Sequence, residues 1–178
     1  MKNIYLLAGI LLIMQYNTYA QSGYNVYFGN LHSHTGYTGG VMDPAYAFAY
    51  AKDTGLLDFL AVTDHLETLS NTEWLNTKNM ADAATVNGVF VAFAGYEWTS
   101  PNYGHCNVFN TTTKVSQLNV NNWSAFVQDL LANPPVIAQF NHPGFVGSNN
   151  WNDFTYLGQT TDNVFRLFEI NSSIQELY

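Results

Sequence analysis

The chain is poor in several residues that common functions depend on. It has one cysteine, Cys106, so no intrachain disulfide can form, and no Cys-x-x-Cys pair exists to build a structural zinc site. Cys106 reads as a small packed residue. Lysine and arginine number five together, Arg166 being the sole arginine, against 13 acidic residues. That balance argues against a basic groove holding a long nucleic acid. Charged residues make up only 10% of the chain, and no internal repeat or low-complexity tract occurs. No apolar run is long enough to cross a membrane; the longest, Tyr5 to Met14, falls short.

What is present is globular in character. Twelve Phe, twelve Tyr and four Trp supply apolar area, and 178 residues suffice for one domain with a real core, though they are few for a large barrel. At the N-terminus, Lys2, the apolar segment and the small-residue site Thr18-Tyr19-Ala20 predict a secretory leader over residues 1–20, cleaved near Ala20. Its alternative is a buried first helix. Export to the periplasm or the exterior follows from the leader reading, and Gln21 rather than a cysteine stands directly after the cleavage site, so a lipid anchor is not indicated. Without residues 1–20, four basic residues face 13 acidic ones.

Beyond the leader, residues 21–178 read as one α/β domain in which strands and helices alternate. Strands are expected over Tyr24–His32, Leu57–Thr63, Val89–Trp98, His105–Asn110, Val136–Asn141 and Val164–Asn171. Helices are expected from Asp43-Pro44 to about Thr54, over residues 73–86, and over Asn122–Leu131. This alternation predicts a parallel sheet or barrel. A long polar and aromatic loop, Gly144 to Asp162, is expected to cover a site.

The five histidines fall into place on that map. His32 and His34 end the first strand, His65 follows the second in "AVTDH", His105 starts the fourth, and His142 ends the fifth in "QFNHPG". Glu97 in "GYEW" and Asp64 before His65 add two carboxylates. In a parallel barrel such positions converge on one mouth. Residues two apart on a strand share a face, so His32 and His34 can reach one ion, and imidazole with carboxylate suits Zn, Mn or Fe(II). Taken singly, each residue has a plainer reading: a strand-end His as a hydrogen-bonded core group, Glu97 as a rim carboxylate, Asp64 as a helix cap. Jointly they point to a metal centre.

In this order, "LHSHTGYTGG", "DFLAVTDH", "GYEW" with a following "GH", "NHPG" and "FEINSS" resemble the successive motifs of the PHP (polymerase and histidinol phosphatase) superfamily, in its stand-alone metal-dependent phosphoesterase branch. The resemblance spans residues 28–173. It implies a distorted seven-stranded (β/α) TIM-like barrel, of which about six strands lie in this chain, with two to three divalent metal ions in its mouth. By position, His32 and His34 match the ligands of a first metal, Glu97 the carboxylate bridging the first and second, and His105 and His142 the imidazoles of the second. His65 matches a ligand of a third metal, and Asp64 a ligand or an orienting group. Catalysis would fall to Glu97, Asp64 and His65.

Two departures stand out. Gly39 occupies the place where the family carries an Asp for the third metal, and the family's late Asp-x-His motif is absent; the chain is therefore expected to be the N-terminal portion of a longer protein that continues past Tyr178. The implied activity is hydrolysis of a small phosphorylated substrate by a water held between two metals. An amidohydrolase-like metal hydrolase and a catalytically silent metal- or phosphate-binding module are the alternatives.

Overall fold

In a computed structural model, residues 24–117, 120–143, 151 and 154–170 are described. The predicted leader and the segment after residue 170 lie outside them. Six strands form one curled sheet in chain order: β1 (Gly29–Asn30), β2 (Phe59–His65), β3 (Val91–Ser100), β4 (Gly104–Phe109), β5 (Ile137–Phe140) and β6 (Phe165–Phe168). Three helices accompany them: α1 (Pro44–Asp53), α2 (Asn71–Ala84) and α3 (Trp123–Leu131). The fold class is thus α/β, with a half-barrel sheet. Among the described residues, no helix is long and apolar enough to cross a membrane.

The helix starts follow from local chemistry. Asp43 caps α1 by accepting the Tyr46 N–H at 2.8 Å, and Pro44 takes the first helical position, where its missing donor costs nothing. α2 begins earlier than the expected residue 73, because Ser70 and Glu73 form a reciprocal capping box. Asn122 caps α3 through the Ala125 N–H. Each cap of this kind stabilises by about 1 kcal/mol.

Strand direction corrects the all-parallel expectation. The pairs β1–β2, β2–β3 and β5–β6 are parallel, but β4 runs antiparallel to both β3 and β5. The reason is the connection: only Pro101, Asn102 and Tyr103 join β3 to β4, whereas a parallel crossover needs a dozen or more residues. β1 is also shorter than predicted, since it has a single partner strand and residues 24–28 pair with nothing regular.

The pleat sorts side chains between two faces. Leu60 and Val62 of β2 join Phe48, Ala51 and Ala81 of α1 and α2 in one apolar cluster. Tyr96, Trp98, Cys106, Val108, Ala138 and Phe140 pack with Trp123, Phe126 and Leu130 of α3 in a larger one. Trp98 stacks on Phe126 with centroids 4.2 Å apart. Cys106 is buried there as expected, its sulfur accepting from Trp151 Nε1. Of the described part of the predicted covering loop, Trp151, Phe154 and Tyr156 join this outer aromatic cluster: Trp151 meets Phe140 edge-on, and Tyr156 meets Tyr103 edge-on and Trp123 at a tilt. The intervening strand residues point to the concave face, and there the polar side chains collect: Thr63, Glu97, Asn107, Gln139 and Asn141 are all buried.

Candidate metal centre

One end of the sheet gathers every predicted histidine. His32 and His34 follow β1, His65 closes β2, Glu97 lies three residues before the end of β3, and His142 follows β5. β4 contributes from its beginning, because its antiparallel course sets His105 opposite Thr99. The stretch around His32 and His34 is not regular strand, yet Ser33 holds it in strand register. Its O accepts from Thr63 N at 2.8 Å and its hydroxyl donates to Ala61 O at 2.6 Å. Alternation about Ser33 then turns both imidazoles to the concave face, as the spacing predicts.

Glu97 is the centre of the arrangement. It is 1% exposed, and its carboxylate lies 3.3 Å from His32 Nε2, 3.4 Å from His34 Nε2, 3.0 Å from His65 Nδ1, 3.3 Å from His105 Nδ1 and 3.3 Å from His142 Nε2. Asn141 Nδ2 donates to the same group at 2.9 Å. Burial pushes the carboxyl up, but the bonds from His105, His142, His32 and His34 outweigh it and hold Glu97 far below the ordinary carboxylate range. Burial likewise pulls His32 down, and its bonds to Glu169 and Glu97 overcome this and raise it to about 9. His65 is raised chiefly by its bond to Glu97, with burial opposing.

Two three-donor groups share this carboxylate. His32, His34 and Glu97 form one, and Glu97, His105 and His142 the other, the ligand atoms within each lying within 4.8 Å of one another. The donor chemistry fits cations better than protons alone. Five imidazole nitrogens and an amide contend for a carboxylate offering about four lone-pair sites. His32 Nε2 and His34 Nε2 also face each other at 3.2 Å, where only one of the two can carry a proton between them. His34 Nδ1 is buried without a hydrogen-bond partner. A divalent ion in each group would take up the surplus lone pairs.

The other predicted residues separate. His65 belongs to neither group; it stacks on His34 at 4.4 Å, bonds Thr99 Oγ1 at 2.8 Å, and is the most exposed of the five imidazoles at 38%. Asp64 is also outside both groups. Its oxygens accept from Thr35 N at 2.8 Å, Thr35 Oγ1 at 2.7 Å and Thr38 Oγ1 at 2.7 Å, and Thr38 in turn accepts from His65 N. Through these bonds Asp64 pins the glycine-rich turn over the end of β2. In that turn Gly40 is required, since a Cβ there would lie 2.5 Å from His34 O. Gly39 has φ of +112° with nothing within 4 Å of a built Cβ. Position 39, where the superfamily that the sequence resembles carries an Asp, is thus open space.

Four contributors were not assigned a role from sequence. Asn141 Oδ1 accepts from Asn107 N and from Gln139 Nε2, which forces its NH2 toward Glu97 and Asn107 Oδ1. The signal for Asn107 and Gln139 was a polar residue at an inward position between apolar neighbours, in "HCNVF" and "IAQF". The fourth is Glu169 of "FEINSS", whose Oε2 lies 3.2 Å from His32 Nδ1. No protein-family model matches the chain, and no curated protein matches it.

Proposed function

We propose that this chain is an exported, divalent-metal-dependent hydrolase that cleaves the phosphate ester of a small phosphorylated substrate. The observation that carries the reading is one buried carboxylate, Glu97, shared by two imidazole pairs. A shared carboxylate between two three-donor groups is the donor set of a two-metal site, and the ordered motifs of the resemblance supply the reaction class. His32 and His34 would hold one ion with Glu97, and His105 and His142 a second.

When bound, such ions lower the pKa of water toward ~7 and neutralise charge developing on phosphoryl oxygens. The protein's own groups prepare the site for this. Glu97 stays ionised because the surrounding imidazoles outweigh its burial. Asn141 fixes the rotation of the carboxylate by donating to one of its oxygens at 2.9 Å. His65, the most exposed of the five imidazoles, stands at the rim of the site, where it would meet an incoming substrate and supply a proton to the departing oxygen. Asp64 and the threonines keep the turn carrying His34 in place. Arg166, the sole arginine of the sequence, is exposed on β6.

The test is turnover of a generic phosphodiester, a phosphomonoester and a carboxylic ester by the purified protein, with and without Mn2+. The reading expects phosphoester cleavage that requires the metal. Turnover of the carboxylic ester alone would favour the amidohydrolase-like alternative, and metal binding without turnover of any substrate would favour the silent module.

A further inference from the structure

Glu169 lies one residue past β6, where its own N–H donates to Phe140 O at 2.9 Å. A register shift between Ala138 and Gln139 in the β5–β6 ladder precedes it. Such an irregularity re-aims the residues that follow. The side chain is 16% exposed and its Oε2 contacts two groups: His32 Nδ1 at 3.2 Å and the backbone N of His142 at 2.7 Å. His32 belongs to one ligand group and His142 to the other.

From this geometry we infer that Glu169 is a positioning residue which, with one carboxylate oxygen, holds a ligand from each half of the metal centre and couples the two sites. The inference rests on the metal-centre reading above and adds to it a role for a carboxylate that belongs to neither ligand group. Its logic is one of donors and acceptors. A backbone N–H can only donate, so Oε2 accepts from His142 N. An ionised carboxylate has no proton to give, so His32 Nδ1 must donate to it as well. That fixes the His32 tautomer: with the proton on Nδ1, the Nε2 lone pair faces Glu97 and His34, which is the orientation a metal ligand needs. At His142 the bond restrains a backbone with φ of 30°, in the left-handed region that residues other than glycine occupy uncommonly. Loss of Glu169 therefore frees the tautomer of one ligand and the backbone of another, and both sites weaken together.

Titration of the purified protein with Co2+, competed by a chelator, tests this, with the visible cobalt absorption and the number of ions bound as readouts. The parent is expected to bind two ions. In Glu169→Ala both dissociation constants should rise by roughly 10- to 100-fold and the cobalt absorption should change. Glu169→Gln keeps the volume and an acceptor for His142 N but loses the negative charge that favours Nδ1–H on His32. It should lie between the two and serves as the decisive variant if the alanine protein does not fold. Melting temperatures measured in excess chelator separate loss of fold from loss of metal. A parent that binds two ions beside a folded Glu169→Gln or Glu169→Ala protein with unchanged constants overturns the role of Glu169 alone; weakening confined to one ion overturns the coupling. A parent that binds no cobalt overturns the metal centre itself, and this role with it.

Discussion

Thr99 of β3 and His105 of β4 stand opposite one another in an antiparallel ladder, beside the parallel pairing of His65 with Glu97. One ring of imidazoles around a carboxylate is therefore assembled from strand ends and from one strand beginning. Parallel topology alone would place His105 at the far end of the sheet. The three-residue connection that reverses β4 is thus as much a part of the centre as the imidazoles, because it brings His105 within 3.3 Å of Glu97.

The shared carboxylate gives the first prediction. Glu97→Gln keeps the shape but removes the charge common to both groups, so phosphoester turnover should fall by on the order of 10² or more, and bound metal should drop from two ions to at most one. Turnover assays with elemental analysis check this; near-normal turnover would place the bridge elsewhere.

Asp64 gives a contrasting outcome. Its carboxylate satisfies three donors of the Thr35–Thr38 turn. Asp64→Asn would leave at least one buried donor poorly paired, at a cost of about 1–3 kcal/mol. Denaturant midpoints should fall accordingly while the count of bound ions stays at two. Loss of an ion with unchanged stability would instead make Asp64 a ligand.

Asn141 gives a third. Asn141→Leu removes the donor to Glu97 and strands the Asn107 N–H and the Gln139 amide in a buried strip, so stability should fall by about 1–3 kcal/mol. For a domain of this length, that corresponds to a drop of several degrees in melting temperature. Asn141→Asp puts a second carboxylate beside Glu97, and its melting temperature should fall further as the pH is raised, because the two cannot both ionise cheaply.

How much of this could be read from the chain differs residue by residue. His32 and His34 were legible because strand alternation is a local rule, and Ser33 enforces it through bonds to Ala61 and Thr63. Glu97 stood out as a carboxylate closing an apolar strand. Glu169 lies within a motif yet has no task visible in the sequence, since its partner His32 is 137 residues away and no periodicity links the two. The Asn107–Gln139–Asn141 network was hidden for the same reason: each residue looks like an interruption of an apolar strand until three strands are laid side by side. The direction of β4 runs against the helix–strand alternation, and only the shortness of the β3–β4 connection signals it. The start of α2 was missed by two residues because the Ser70–Glu73 capping box was not recognised.

The last prediction concerns pH, and its sign follows from His32. In the metal-free protein the bonds to Glu169 and Glu97 raise this imidazole from 6.5 to about 9. A group whose folded pKa lies above its unfolded value stabilises the fold fully below the unfolded value and loses that contribution as the pH rises through the folded one. Metal-free protein should therefore lose stability between about pH 6.5 and 9, on account of this residue. Metal uptake has the opposite slope. A cation at Nε2 must displace the second imidazole proton, so apparent affinity should climb by roughly tenfold per pH unit for each proton displaced, and level off near the folded pKa. Melting temperatures in excess chelator and competition titrations with Zn2+ at pH 6, 7, 8 and 9 measure the two slopes separately. Glu169→Gln removes one of the carboxylates that hold the His32 proton, so the stability loss should shift to lower pH in that variant, and its weaker metal affinity should level off at a lower pH than the parent's. An affinity that is flat between pH 7 and 9 would mean that no imidazole proton competes with the ion, and that His32 enters the centre already neutral.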